Sequence, residues 1–232
     1  MTIMPKGGFH KMPLSGPRLD PTNAKADALV VLVHGYGADG NDLIGLAQTL
    51  SRVLPNAAFV SPNAPQSCPG ARFQWFPIAE LDPHKMHAGV LSAAPVLTNF
   101  IDAELRRLSL TPERLAIIGF SQGTMLALHI GLSGMRPAAI VGFSGVLTGE
   151  PAEGDPTPVL LAHGGSDPLI PAEALYLTAS TLGAYGVRVE WHISPGLGHG
   201  IDDLGLASAA AFLTLAFAGK LKADGEASCA IR

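Results

Sequence analysis

The stretch Gly119-Phe120-Ser121-Gln122-Gly123 is the part of this chain best suited to covalent chemistry. An apolar run, Leu115 to Ile118, leads into it, and a helix-like run, Thr124 to Ile130, leaves it. A serine between glycines at such a junction has the form of a nucleophile elbow. The turn from strand to helix is tight, so the residues two before and two after the serine must be small. The hydroxyl then stands clear at the end of a sheet, beside the positive end of a helix.

A serine hydroxyl is a weak nucleophile until a base takes its proton. In this topology the partners follow in the order serine, acid, histidine. The run 158–162 is followed by His163-Gly164-Gly165-Ser166-Asp167-Pro168, and a carboxylate there lies at the carboxyl edge of the sheet. The rivals are less well placed. Glu150 and Asp155 sit in a proline- and acid-rich loop, and Asp202 and Asp203 suit the start of the last helix. For the base, His199 lies on the glycine-rich loop Ser194–Gly200, free to bend toward Ser121. His192 also follows the acid, but its place in a strand alternation points it at a sheet face. The assignment is therefore Ser121 as nucleophile, His199 as base and Asp167 as the group that orients the imidazole. The developing alkoxide needs donors. One is the backbone N–H of Gln122, and the other comes from the loop His34-Gly35-Tyr36-Gly37, whose glycines allow close approach.

These side chains need a frame. Six apolar, β-branched runs read as strands buried on both faces: Ala28–Val33, Ala57–Val60, Leu115–Ile118, Ala138–Phe143, Pro158–Ala162 and Val187–Ile193. Helical stretches lie between them. Asn41 and Asp42 can cap a helix running to about Val53. Residues 85–108 place Leu97, Ile101 and Leu105 four apart on one face. Further helices are predicted over 121–132, 172–185 and 202–217. Alternating strands and helices imply a mostly parallel sheet covered on both faces, an α/β fold in which ligands bind beyond the carboxyl ends of the strands.

Residues 62–85 break this rhythm, with five prolines and the aromatics Phe73, Trp75 and Phe76. They predict a packed flap beside the site, against the alternative of a surface loop without substrate contact. Phe73, Trp75 and Phe76, with Leu169 and Ile170 after the acid, are the expected substrate-binding residues.

Composition narrows the function classes. The 232 residues are 47% hydrophobic and 15% charged, which argues against disorder. A net charge of −4 gives nucleic-acid binding no electrostatic support. No apolar run is long enough for stable membrane insertion, and the first residues lack the apolar core of a secretory signal. Two cysteines, Cys68 and Cys229, make neither a disulfide framework nor a metal cluster and suit free thiols in a reducing cytoplasm. One domain spanning 1–232 is expected, with an N-terminal extension over 1–13 and a flexible polar tail over 219–232.

With these pieces in place, the chain resembles the phospholipase/carboxylesterase family of α/β-hydrolases, which includes acyl-protein thioesterases and small bacterial carboxylesterases. The matching segments run in order over about residues 14–217. They are 34–40 with Asn41-Asp42-Leu43, Pro62-Asn63-Ala64-Pro65, Trp75-Phe76, 119–123, Phe143-Ser144-Gly145, 163–168 and Gly198-His199-Gly200. The resemblance implies Ser121, Asp167 and His199 as a triad, with Tyr36 and Gln122 giving backbone N–H groups. It also implies hydrolysis of a small-molecule ester or thioester without a cofactor or metal, and homodimers as a frequent assembly. The elbow carries serine, where the related dienelactone hydrolases carry cysteine. Only about 14 residues join Phe143 to Pro158, so no large cap domain fits there.

Overall fold

A computed structural model describes residues 14–22, 24–78, 82–152 and 157–221. The apolar runs become one seven-stranded sheet. In chain order its strands are β1 (Arg18–Leu19), β2 (Ala28–Val33), β3 (Ala57–Val60), β6 (Leu115–Phe120), β7 (Ala139–Phe143), β8 (Val159–Gly164) and β9 (Val189–Ser194). A separate two-stranded hairpin pairs β4 (Gln66–Ser67) with β5 (Phe73–Gln74). The order across the main sheet is β1-β3-β2-β6-β7-β8-β9. All neighbours are parallel except β1, which runs antiparallel to β3 at one edge.

Period-two geometry divides the apolar runs between two faces. Leu29, Val31, Val33, Ile117 and Leu161 face one side, under α3 (Pro83–Leu108), α4 (Gln122–Ile130) and α5 (Glu173–Ala184). Val30, Leu32, Ile118, Val141 and Leu160 face the other, under α1 (Gly40–Ile44), α2 (Leu46–Leu50) and α6 (Asp203–Phe217). Burying each Leu- or Ile-sized chain is worth roughly 1.5–3 kcal/mol, so both faces must be covered for the sheet to stand. Leu97, Ile101 and Leu105 form the buried stripe of α3, as their spacing predicts.

Some local details differ from expectation. The helix expected from Asn41 to about Val53 is two short helices. Its cap is Asp39, whose carboxylate accepts from the Asn41 N–H at 2.8 Å while the Asp42 carboxylate accepts from the Asp39 N–H at 2.8 Å. β1 is only two residues long, too short to carry a periodic signal. It is held by Arg18, whose guanidinium makes a two-pronged ion pair with the buried Glu104 carboxylate on α3. In the tail expected from Gly219, Leu221 is buried against the α6 face, and 222–232 lie outside the described residues, as do 1–13. Among the described residues no helix is long and apolar enough to cross a membrane.

Candidate active site

The elbow is built by space as much as by sequence. Ser121 sits at φ 53°, ψ −115°, a backbone state that costs a non-glycine residue about 1–3 kcal/mol and persists only where its surroundings enforce it. Here they do. The Ser121 N–H donates to the Phe143 carbonyl at 2.9 Å, and the Thr124 hydroxyl donates to the same carbonyl at 2.8 Å. A Cβ at Gly119 would stand 2.5 Å from the Gly123 backbone, and one at Gly123 would stand 1.9 Å from the Val33 carbonyl oxygen. The two glycines of the motif are thus required for room: β6, α4 and the end of β2 meet there with no space for a methyl group.

Asp167 and His199, the expected acid and base, come from the loops after β8 and β9. Asp167 is buried, and its Oδ1 accepts from the backbone N–H groups of Leu169 at 2.8 Å and Ile170 at 3.0 Å. Its Oδ2 accepts from Nδ1 of His199 at 2.7 Å. Burial pushes the Asp167 pKa up, but the bonds from Ile170, His199 and Leu169 outweigh it and hold the carboxyl below its ordinary value. The two loops are stitched together, Gly165 N–H to Ser194 carbonyl and Ser166 N–H to Leu197 carbonyl, both at 2.9 Å. The His199 ring packs on Phe120, the residue before the nucleophile, with centroids 5.0 Å apart. Its side chain is 15% exposed, reachable by a small molecule. With Nδ1 committed to Asp167, Nε2 is left for proton transfer. The Ser121 hydroxyl itself is engaged by no described residue, so the final link of the relay is not closed at hydrogen-bond length. Resting hydrolase sites commonly tighten this contact only when substrate is bound.

Gly35 lies against the elbow: a Cβ there would stand 3.2 Å from that of Ser121. Tyr36, the next residue, is on the open side of this loop and 43% exposed. Gln122 opens α4, where the first N–H groups have no partner within the helix. His34 holds the loop from below. Its Nε2 accepts from the Ala64 N–H at 3.0 Å, so Nδ1 carries the proton and donates to the Gly35 carbonyl at 2.8 Å. Burial lowers the His34 pKa.

Beside the acid loop lies a cavity of about 450 Å³, walled by Met86, Met125, Val146, Leu147, Leu169 and Ile170 among others. Met125 is one helical turn beyond Ser121. Leu169 and Ile170 were expected here; Met125, Val146 and Leu147 were not, although a residue four after the nucleophile shares its helix face. Of the expected aromatics, two lie in the core. Phe73 is half-buried in the hairpin. Trp75 and Phe76 are 0% and 2% exposed, sealed in the core between the sheet and α3. Their expected substrate contact is therefore corrected: both rings are closed off in the core, Phe76 against Gly89 of α3 and Trp75 with its indole N–H donating to the His34 carbonyl at 2.9 Å. Among the described residues no group of three or more His, Cys, Asp or Glu side chains is placed to hold a metal ion.

A sheet of this order, with a strained serine on the turn after β6 and an Asp–His pair on the last two strand loops, defines an α/β-hydrolase without a large cap domain. The family model described as Phospholipase/Carboxylesterase matches residues 15–217, and the chain belongs to that family, ester hydrolases by class. It is 28% identical over 225 residues to acyl-protein thioesterase 1 of Gibberella zeae, covering 85% of this chain and 94% of that one. It is 30% identical over 198 residues to carboxylesterase SOBER1 of Arabidopsis thaliana, covering 77% of this chain and 86% of that one. The crystal structure of esterase PE8 superimposes with a TM-score of 0.81 at 38% identity, covering 87% of this chain and 98% of that one.

Proposed function

We propose that the protein is a serine carboxylesterase that cleaves esters of short to medium acyl chains through an acyl-enzyme intermediate. The Ser121 oxygen attacks the ester carbonyl carbon while Nε2 of His199 takes the hydroxyl proton. The carbonyl oxygen becomes an alkoxide facing the N–H groups of Tyr36 and Gln122. Collapse expels the alcohol, which receives the proton back from His199. Water then repeats the sequence on the acyl-enzyme and releases the acid. Asp167 keeps its negative charge throughout, steering Nδ1–H and stabilising the transient imidazolium. The chemistry needs no cofactor.

The observation that carries this reading is the bond from His199 to the buried Asp167 carboxylate, beside a serine held in a strained turn. The test is turnover of p-nitrophenyl butyrate by the wild type and by Ser121→Ala. Wild-type activity with a loss of at least about 10⁴-fold in the variant supports the nucleophile; equal rates would sink it.

A second reading is an acyl-protein thioesterase or lysophospholipase using the same residues. The apolar cavity, with Leu and Met walls able to take a longer chain, and the likeness to the Gibberella zeae protein favour it. Specificity constants for matched ester, acyl-thioester and lysophospholipid substrates separate the two. Cys68, a buried thiol outside any disulfide, fits the cytoplasmic setting we propose. The homodimer implied by the family is read by sedimentation.

A further inference from the structure

We propose that Gln122 works through both of its ends: its backbone N–H donates to the alkoxide, and its side-chain amide fixes the distance to the Tyr36 donor, with Trp75 as a second positioning residue. This rests on the hydrolase reading above. The two donors belong to different elements, one to the loop after β2 and the other to the start of α4. An oxyanion site works only if both N–H groups lie about 2.7–3.1 Å from the developing charge. Something must hold the loop and the helix in register, and residues 72–76 span the gap.

On the loop side this segment forms a short ladder. The Gly37 N–H donates to the Phe73 carbonyl at 2.8 Å, and the Arg72 and Phe73 N–H groups donate to the Gly37 and Ala38 carbonyls at 3.1 Å each. The Arg72 guanidinium adds an ion pair to Asp39. On the helix side the Gln122 carboxamide is bonded at both ends. Its oxygen accepts from the Trp75 N–H at 2.9 Å, and its nitrogen donates to the Phe76 carbonyl at 2.8 Å. The Trp75 indole N–H closes a triangle by donating to the His34 carbonyl, one residue before Gly35. Gln122, Trp75 and His34 are buried, so water does not replace a lost bond. An amide suits this place because it offers a donor and an acceptor at one end of a neutral chain. Methionine offers no donor and only a weak sulfur acceptor, and ionised glutamate offers only acceptors. The Phe76 ring presses on Gly89 of α3, where a Cβ would stand 2.3 Å from a ring carbon, so the segment has no room to slide outward.

The test compares wild type with Gln122→Met, Gln122→Glu and Trp75→Phe. Readouts are kcat and KM on p-nitrophenyl butyrate, thermal midpoint, and inhibition by butylboronic acid, whose adduct with the serine presents a hydroxyl to the donors. For Gln122→Met, kcat should fall about 10–100-fold, boronate inhibition should weaken by a similar factor, and KM should stay within about threefold. Gln122→Glu keeps the acceptor for the Trp75 N–H and should fall between it and wild type. Trp75→Phe should show the same pattern at about 5–10-fold, and it decides the matter if Gln122→Met does not fold. A clamp that only stabilises the fold would lower the thermal midpoint and leave kcat and boronate inhibition of the folded protein within about twofold, which overturns the proposal. Failure of the underlying reading is distinguishable: Ser121→Ala would then turn over like wild type.

Discussion

The two halves of the proposed site, the nucleophile half around Ser121 and the acid–base half around Asp167 and His199, are built in opposite ways. The nucleophile half is one continuous piece of chain, β6 running into α4, wedged against β2 and braced by the buried groups of His34, Trp75 and Gln122. The acid–base half is two loops after β8 and β9, at the sheet edge where β9 has a strand on one side only. Its buried anchors are the Asp167 carboxylate and the His163 ring, whose Nε2 lies 2.8 Å from the Ile170 carbonyl and 3.3 Å from Asp167 Oδ2, and its outer residues are open, Leu169 being 61% exposed. The difference matches the tasks. A strained serine and fixed N–H donors need a frame that cannot relax. A base that passes protons to incoming and departing molecules needs orientation and access.

The largest expected effect breaks the acid–base half without touching the other. Asp167→Asn should cut kcat by about 10³–10⁴-fold, because the imidazole loses its charged partner and its tautomer is no longer enforced. The fold should survive, with a cooperative melt. A loss below about tenfold would mean that His199 is oriented by something else.

Two glycines then set the halves against each other. Gly123→Ala drives a methyl carbon to 1.9 Å from the Val33 carbonyl oxygen, so the elbow must shift; a loss of about 3 kcal/mol or more, or no folded protein, is expected. Gly196→Ala, in the loop between β9 and His199, meets nothing within 4 Å and pays only for its φ of 75°, about 1–2 kcal/mol. Urea midpoints give both numbers. Equal costs would erase the contrast between a wedged half and an open one.

Acid titration sharpens it further. Asp167 is held below its ordinary pKa in the folded protein, so the unfolded chain binds its proton more readily. The resulting stability is present above the ordinary carboxylate range and is lost as pH falls through the folded value. Below about pH 4 the urea midpoint of wild type should fall more steeply than that of Asp167→Asn. Parallel curves would deny Asp167 its role as the anchor. The smallest effect concerns the cavity beside that loop. The Thr148 hydroxyl is buried without a hydrogen-bond partner among the described residues, so Thr148→Val should be neutral or stabilising by up to about 1 kcal/mol. A clear destabilisation would show that the hydroxyl is satisfied in solution.

Much of the frame was legible in the chain because it is local. Strands such as Ala28–Val33 are written as unbroken β-branched runs, and the α3 stripe as a four-residue spacing. Ser121 announced itself because the elbow packs against residues two positions away, so its steric needs appear as glycines in the motif. The placement of the aromatics was not legible. Trp75 and Phe76 looked like pocket walls, since a proline-rich excursion with exposed rings and one with buried rings read alike. Their burial depends on α3, which folds over them from later in the chain. The cap of α1 was misplaced by two residues because Asp39, Asn41 and Asp42 are all good capping types. The Arg72 contact that favours Asp39 is distant in sequence.

Local patterns in the chain set the order of the six long strands, the elbow and the three catalytic candidates. Each of these follows from short-range periodicity, from steric demands within a few residues, or from the chain order of serine, acid and histidine. Which distant groups meet was settled by packing: the imidazole donates to the carboxylate at 2.7 Å, residues 72–76 join the loop after β2 to the start of α4, and a cavity opens between Met125 and the loop after β8. Those outcomes depend on how far-apart segments share one volume, and no local pattern encodes which of several compatible side chains will occupy it.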